Sequence, residues 1–216
     1  MVEKVKEMLW SKDMIEWNLW GMENKGQNLA VLNEFAEKGK PVFIGDSIVE
    51  GFPLSELIGV PFYNRGVGGD STALMLKRYP AVALPLGPSK LFIWAGTNDI
   101  PHIPVEESLK NIGEIVRLTR ASFPRTQFYL LSVSPVNESC TDGFVRLAVS
   151  LRTNAEIMRR NAAYRIFCER NDVRYIDIYG DLLDGNGELS MSCTSDGLHP
   201  NARAYVKVAA KIKEVL

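Results

Sequence analysis

Five short apolar runs alternate with longer stretches of helical periodicity, and this alternation limits the chain to few folds. The runs cover residues 41–45, 61–64, 90–95, 127–133 and 173–178. Each is too short for a typical helix and nearly continuous in apolar residues, as in strands buried on both faces of a parallel sheet. Helices between parallel strands cover both faces of the sheet. The pattern therefore predicts an α/β fold, a three-layer α/β/α sandwich around a five-stranded parallel sheet.

The predicted helices carry apolar stripes that indicate their buried faces. The helix that begins at Pro104 has a stripe at Val105, Leu109, Ile112, Val116 and Thr119. In a helix over residues 151–171 we expect Ala155, Met158, Ala162 and Ile166 to share the buried side. A terminal helix over 201–216 has Tyr205, Val208, Ala209 and Ile212 facing inward. Residues 136–150 and 180–198 read as long loops.

The first 40 residues precede the alternating pattern and form a helical extension. The periodicity predicts a helix over 22–38, with Leu29, Leu32, Phe35 and Ala36 on one face. Three tryptophans, Trp10, Trp17 and Trp20, lie in the segment before this helix. The tryptophans can either pack on the domain or form a surface that binds a partner. A homodimer is one such partner arrangement. No repeat or linker divides the 216 residues, so we expect a single domain over 1–216.

Charge and cysteine content exclude several classes of function. The formal net charge of −1 shows no excess of positive charge that would attract nucleic acid or an anionic membrane. No stretch approaches the roughly 20 apolar residues of a membrane span, and the N-terminus lacks the apolar core of a signal peptide. Three cysteines without a CxxC pair argue against a disulfide framework or a zinc site. We therefore expect a cytoplasmic protein without metal or cofactor.

Small polar residues follow three of the predicted strands. The turns are Gly45-Asp46-Ser47, Gly68-Gly69-Asp70 and Gly96-Thr97-Asn98-Asp99, and Ser195-Asp196-Gly-Leu-His199-Pro200 precedes the last helix. The carboxyl ends of parallel strands meet at one edge of a sheet, where ligands bind in α/β proteins. If the last loop returns to this edge, it assembles a serine, a histidine, an acid and several hydrogen-bond donors.

This set of side chains suits ester hydrolysis. Ser47 can be a nucleophile once a base accepts its proton, although capping of the following helix is the other reading of Ser47. The imidazole of His199 can be the base, and Asp196, three residues earlier, can hold the second ring nitrogen. The backbone N–H groups of Ser47 and Gly69 and the amide of Asn98 can stabilise an oxyanion, where one donor contributes ~2.7–4 kcal/mol.

Other polar residues of these turns have simpler interpretations. Asp46 and Asp99 lie in strand-end turns, where Asp usually accepts hydrogen bonds from backbone N–H groups. His102, between two prolines, reads as a surface or pocket-lining histidine, and Cys193 as a small buried residue. The glycine run at 66–69 lacks both the Gly-Lys-Ser/Thr of a phosphate loop and the third glycine of a dinucleotide-binding loop.

Four blocks, GDS, NRGVGGD, GTND and DGLH, occur in an order and spacing that resemble the GDSL/SGNH hydrolase family. The chain is most similar to the branch of platelet-activating-factor acetylhydrolase catalytic subunits and bacterial acyl-esterases, over residues 40–210. The resemblance implies a flavodoxin-like sandwich and metal-free ester hydrolysis through an acyl-enzyme. By position it makes Ser47 the nucleophile, Gly69 and Asn98 oxyanion donors, and Asp196 and His199 the rest of the triad. Ile48 replaces the leucine of the family's name motif, and Ala204 replaces a glycine common before Tyr205.

The leading hypothesis is a serine esterase that removes a short acyl group, with acetyl as the first candidate, from an alcohol. Its partner would be a small-molecule ester, an acylated sugar or lipid. A thioesterase or a lysophospholipase of the same family would differ in the pocket alone. A non-catalytic module that binds carbohydrate or a partner is the alternative outside enzymes. The two long loops would shape the pocket, and the sequence does not give their conformation.

Overall fold

A computed structural model describes residues 12–100, 102–140, 149 and 151–216. The helices and strands of these residues are α1 (Lys12–Leu32), β1 (Val42–Gly45), α2 (Ser47–Glu50), α3 (Leu54–Ile58), β2 (Tyr63–Gly66), α4 (Thr72–Val82), β3 (Lys90–Trp94), α5 (Val105–Ser122), β4 (Gln127–Leu131), α6 (Asn154–Arg170), β5 (Arg174–Ile176) and α7 (Ala202–Lys213). Short 3₁₀ turns occur at Asn33–Phe35, Leu84–Leu86 and Gly180–Leu182. Trp10 and most of the predicted loop 136–150 lie outside the described residues.

The five strands form one parallel sheet in the order β2-β1-β3-β4-β5. This confirms the predicted fold class and all five strands, with shifts of a few residues at their ends. The chain first adds β2 on one side of β1 and then β3 on the other side. The strand order therefore reverses at β1 and β3, and in open α/β sheets the crevice at such a reversal is where ligands bind.

Two apolar layers cover the two faces of the sheet, because successive strand residues point to opposite sides. Val42, Ile44 and Ile93 face the layer of α4, α5 and α6. Phe43 and Phe92 face the layer of α2, α3 and α7. On this second face the rings of Phe43, Phe92 and Tyr129 stack across three strands, with centroids 4.7 and 4.5 Å apart. The inward stripes predicted for α5 and α7 are confirmed.

Within the residues that the structure describes, the helices are too short or too polar to span a bilayer.

The predicted buried face of α6 is wrong. Ala155, Met158, Ala162 and Ile166 all lie on the exposed side. The buried side carries Asn154, Ile157, Arg160, Asn161, Tyr164 and Cys168. Two of these polar side chains bind backbone of the fold's interior: Asn161 both donates to the Val133 carbonyl and accepts from its N–H, and Arg160 donates to the Ile103 carbonyl. Because polar residues occupy the inner face, apolar periodicity points to the wrong side.

Helix α1 begins earlier and ends earlier than predicted. It stops at Leu32, where the amide of Asn33 donates to the carbonyls of Ala81 and Val82 at the end of α4. Leu29 is buried against Val82, but Leu32 and Phe35 are exposed, Phe35 at 82 %. The predicted apolar face is therefore only partly buried, since Leu29 and Ala36 pack against buried apolar residues and the other two do not.

The corrected face of α6 leads to a stability prediction. Ile157→Ala should lower the free energy of unfolding by about 2–5 kcal/mol, because it leaves a cavity under the sheet. Met158→Ala, one residue along, should change it by less than about 0.5 kcal/mol. Urea unfolding of both variants measures the difference. Equal losses in the two variants would contradict the assignment of the faces.

Candidate active site

Ser47 follows β1 after a single residue, Asp46, and is the first residue of the short helix α2. Asp46 is the N-cap of this helix, since its Oδ1 accepts a hydrogen bond from the Ile48 N–H at 2.9 Å. The reading of Ser47 as the cap is therefore wrong, and its hydroxyl is free for another partner. Ser47 Oγ lies 3.0 Å from Nε2 of His199. The side chain is half-buried at the carboxyl edge of the sheet.

His199 reaches this edge on the loop that precedes α7. Its Nδ1 lies 2.6 Å from Oδ2 of Asp196. The other oxygen, Oδ1, accepts hydrogen bonds from the N–H groups of Leu198 and His199 at 2.9 and 2.7 Å. The loop is closed by a bridge between Thr194 and Pro200. The structure thus brings Ser47, His199 and Asp196 into one continuous row of hydrogen-bonding contacts.

The electrostatics of Asp196 favour its ionised form. Partial burial alone would raise the pKa of Asp196, but the hydrogen bonds from the His199 ring and from the two N–H groups outweigh it, and the pKa lies below its usual value. An ionised carboxylate only accepts hydrogen bonds, so Nδ1 of His199 carries the proton that it donates to Asp196. In a neutral ring, Nε2 is then left as an acceptor that faces Ser47 Oγ.

Gly69 lies in the turn that follows β2, beside Ser47. Its φ of +83° is in the left-handed region that favours glycine, and a Cβ there would lie 3.2 Å from Sδ of Met22. Glu50 holds the adjacent Gly68, whose N–H donates to Glu50 Oε2 at 2.5 Å. No residue in the described part of the chain accepts a hydrogen bond from the N–H of Gly69 or of Ser47. Both N–H groups are therefore available to a ligand.

Asn98 lies in the turn that follows β3, half-buried at the same edge. Its Nδ2 donates to the Asp70 carbonyl at 3.1 Å, which ties the end of β3 to the turn after β2. The amide nitrogen carries two hydrogens, and this bond uses one of them. The structure thus places all five residues predicted for the site at one edge, on four segments of the chain.

The neighbouring polar residues have the supporting positions that we expected. Asp99 is buried and accepts from the N–H and the hydroxyl of Thr72 at 2.8 and 2.6 Å, which fixes the start of α4. His102 is exposed, and Cys193 is fully buried. Across the described residues, no three or more His, Cys, Asp or Glu side chains are grouped to hold a metal ion.

Sequence reasoning missed two contributors to the site, helix α1 and the side chain of Arg152. Met22 of α1 packs beside Gly69, and Lys25 of the same helix pairs with Glu50. Arg152 donates to Oδ1 of Asn98 at 2.9 Å. Helix α1 precedes all four sequence blocks, and Arg152 follows residues 136–150, whose sequence shows no periodicity. No sequence pattern connected either of them to the strand ends.

The sequence pattern of the GDSL-like lipase/acylhydrolase family matches residues 43–207, which include all five residues predicted for the site. The chain therefore belongs to the GDSL-like lipase/acylhydrolase family. Among curated relatives it is 24% identical to the GDSL esterase/lipase WDL1 of Oryza sativa subsp. japonica over 148 residues, 61% of this chain. A GDSL esterase/lipase of Arabidopsis thaliana is 28% identical over 166 residues, 70% of this chain. The alignments span 55% and 52% of these relatives' lengths.

Solved structures share the architecture over most of the chain. A Streptococcus pneumonia protein, provisionally described as a platelet activating factor, is 33% identical with a TM-score of 0.87, and the match covers 94% of this chain and 95% of that one. A GDSL-like lipase from Bacteroides thetaiotaomicron VPI-5482 is 22% identical with a TM-score of 0.74, covering 88% and 96%. The second likeness concerns the fold alone.

Asp46, which precedes Ser47, makes the stability of the folded protein depend on pH. Its side chain is 1 % exposed, and among the described residues Oδ2 has no hydrogen-bond partner. Burial raises the pKa of Asp46 from 3.8 to about 7, although the Ile48 N–H, the His199 ring and Arg152 act in the opposite direction. The folded protein therefore keeps a proton that the unfolded chain loses near pH 3.8.

This raised pKa predicts the sign of a pH effect. The contribution of Asp46 to stability is full below pH 3.8 and is lost as the pH rises to about 7. Asp46→Asn caps α2 equally well and does not ionise, so it avoids this loss. The Tm of the variant minus that of the wild type should be larger at about pH 8 than at about pH 5, by about 3 °C or more. Thermal unfolding at both pH values measures this, with the exposed Asp172→Asn as control. A Tm difference that does not change with pH would contradict the raised pKa.

Proposed function

We propose that the protein is a serine esterase in which Ser47, His199 and Asp196 form the catalytic triad. The observation that carries this proposal is the row of contacts from Ser47 Oγ through both ring nitrogens of His199 to Asp196. It lies at the reversal of strand order and beside two backbone N–H groups, those of Ser47 and Gly69, that have no partner among the described residues. Membership of the GDSL-like lipase/acylhydrolase family supports ester hydrolysis as the general reaction.

In the proposed reaction, Nε2 of His199 accepts the Ser47 proton while Oγ attacks the acyl carbon of the ester. The carbonyl oxygen becomes an oxyanion, and the N–H groups of Ser47 and Gly69 and Nδ2 of Asn98 donate hydrogen bonds to it. His199 then gives the proton to the leaving alcohol, and the acyl group stays on Ser47. Water, activated by the same ring nitrogen, attacks this acyl-enzyme and releases the acid. Asp196 keeps the ring oriented throughout and stabilises its cationic form.

A short acyl group on a sugar or lipid alcohol is the proposed substrate class. Two observations support this class: the four sequence blocks resemble a branch of the family that includes acetylhydrolases, and the chain is 33% identical to the streptococcal structure. Rates on p-nitrophenyl esters of increasing acyl length test this proposal. Fastest turnover of the acetyl ester would support it, and fastest turnover of long-chain esters would instead place the protein with lysophospholipases.

Replacement of Ser47 tests the nucleophile. Ser47→Ala should lower kcat on p-nitrophenyl acetate by about 10³-fold or more, because the alanine cannot form the acyl-enzyme. The Tm should stay within a few degrees, since the hydroxyl has no other described partner than His199. Ser195→Ala is the matched control: Ser195 is exposed beside Asp196, and its loss should leave kcat unchanged.

An unchanged rate in Ser47→Ala would contradict the triad. A folded wild-type protein without esterase activity would favour a binding module with the same fold. Binding of a carbohydrate ligand with no release of acid would then be the expected behaviour of this alternative.

A further inference from the structure

Arg152 is a buried cation close to the proposed site. It belongs neither to the triad nor to the oxyanion donors. It lies two residues before α6, and its side chain is 7 % exposed. Among its partners are Thr97 and Asn98, which lie 55 and 54 residues away in sequence, in the turn that follows β3. The guanidinium thus crosses from the start of α6 to the edge of the sheet where Ser47 lies.

The guanidinium binds this turn at three points. Nε of Arg152 donates to the carbonyl and the hydroxyl of Thr97 at 2.8 and 3.1 Å. Nη2 donates to Oδ1 of Asn98 at 2.9 Å. Arginine is a donor only, so the atom of the amide that faces it must be the oxygen. Arg152 therefore decides which way the Asn98 amide points.

The nitrogen side of the Asn98 amide is also fixed by a hydrogen bond. Nδ2 of Asn98 donates one hydrogen to the Asp70 carbonyl at 3.1 Å. With Oδ1 bound by Arg152 and one hydrogen bound by Asp70, rotation of the amide would break both bonds. The second hydrogen of Nδ2 is thereby kept in one direction. A donor that is already oriented needs no reorganisation when charge develops on the substrate.

Stability alone is a weak reason to bury this charge. A buried cation loses its hydration, and an apolar side chain of similar size is often as stabilising at such a position. Here the guanidinium is bound to the turn that carries Asn98. Its positive charge also polarises the amide from the oxygen side, which makes the N–H groups stronger donors.

We propose that Arg152 is a positioning residue of the oxyanion hole, which fixes and polarises the Asn98 amide so that Nδ2 donates to the oxyanion. The inference rests on the proposed esterase function. It assigns Arg152 no contact with substrate, and its effect on the rate passes through Asn98. The effect should therefore appear in kcat rather than in KM.

A kinetic double-mutant cycle tests this coupling. Arg152→Met, which keeps the length of the side chain and removes charge and donors, should lower kcat on a p-nitrophenyl ester by about 10²-fold, with KM changed less than about threefold. In an Asn98→Ala background, the same replacement should lower kcat by less than about threefold, because the residue it positions is gone. Arg152→Lys keeps the positive charge but loses the planar set of guanidinium donors, so its kcat should lie between those of Arg152→Met and the wild type.

The control is Arg120→Met. Arg120 donates to the carbonyls of Asn171 and Asp172 away from the site, so its loss should lower the Tm and leave kcat unchanged. Equal reductions by Arg152→Met in the wild-type and Asn98→Ala backgrounds would overturn the inference. So would a normal kcat in folded Arg152→Met. If that variant does not fold, the cycle is carried out with Arg152→Lys, and additive losses would again overturn it.

Failure of the inference is distinguishable from failure of the esterase proposal. If the wild type and Ser47→Ala hydrolyse the ester at the same rate, the esterase proposal fails and the inference fails with it. If hydrolysis depends on Ser47 but the losses in the cycle add, the inference alone is overturned.

Discussion

The parallel alignment of β1, β2 and β3 is the constraint on which the site depends. Each strand ends in a turn of small polar residues, and the parallel order places these turns side by side at one edge. Ser47 follows β1, Gly69 follows β2 and Asn98 follows β3. A histidine from the last loop of the chain then needs to reach only one point on this edge. The sheet therefore supplies the spacing of the site, and the apolar layers on its two faces keep that spacing rigid.

Buried polar side chains under this edge hold the turns in place. Asp99 binds Thr72 at the start of α4 and lies 3.9 Å from a guanidinium nitrogen of Arg160. Arg152 binds the turn after β3, and Asp46 caps the helix that carries Ser47. Burial of these polar side chains has a free-energy cost that their hydrogen bonds offset only in part. What they supply is a set of turns whose donors point in fixed directions, which suits stabilisation of a developing charge.

Local patterns predicted the sheet, and the strand-end turns together with the resemblance of four blocks to a known family predicted the grouping of the site residues. Apolar runs mark the strands, and the spacing of Asp196 and His199 by three residues places both side chains on one loop. Contacts between distant segments gave no such signal. The inner face of α6 was predicted wrongly because Asn161 and Arg160 are buried for their hydrogen bonds, against the apolar periodicity. Arg152 was missed because Thr97 and Asn98, to which it donates, are more than 50 residues away, in a turn that it reaches only in the folded chain.

Covalent labelling of the folded protein with a fluorophosphonate tests the central claim most directly. The reagent reacts with a serine whose proton is taken by a neighbouring base, and intact mass followed by peptide mapping locates the adduct. The account predicts a single adduct on Ser47, absent when His199 is replaced by alanine. A folded protein that forms no adduct, or that carries it on another serine, would contradict the claim that Ser47 and His199 form an active nucleophile and base.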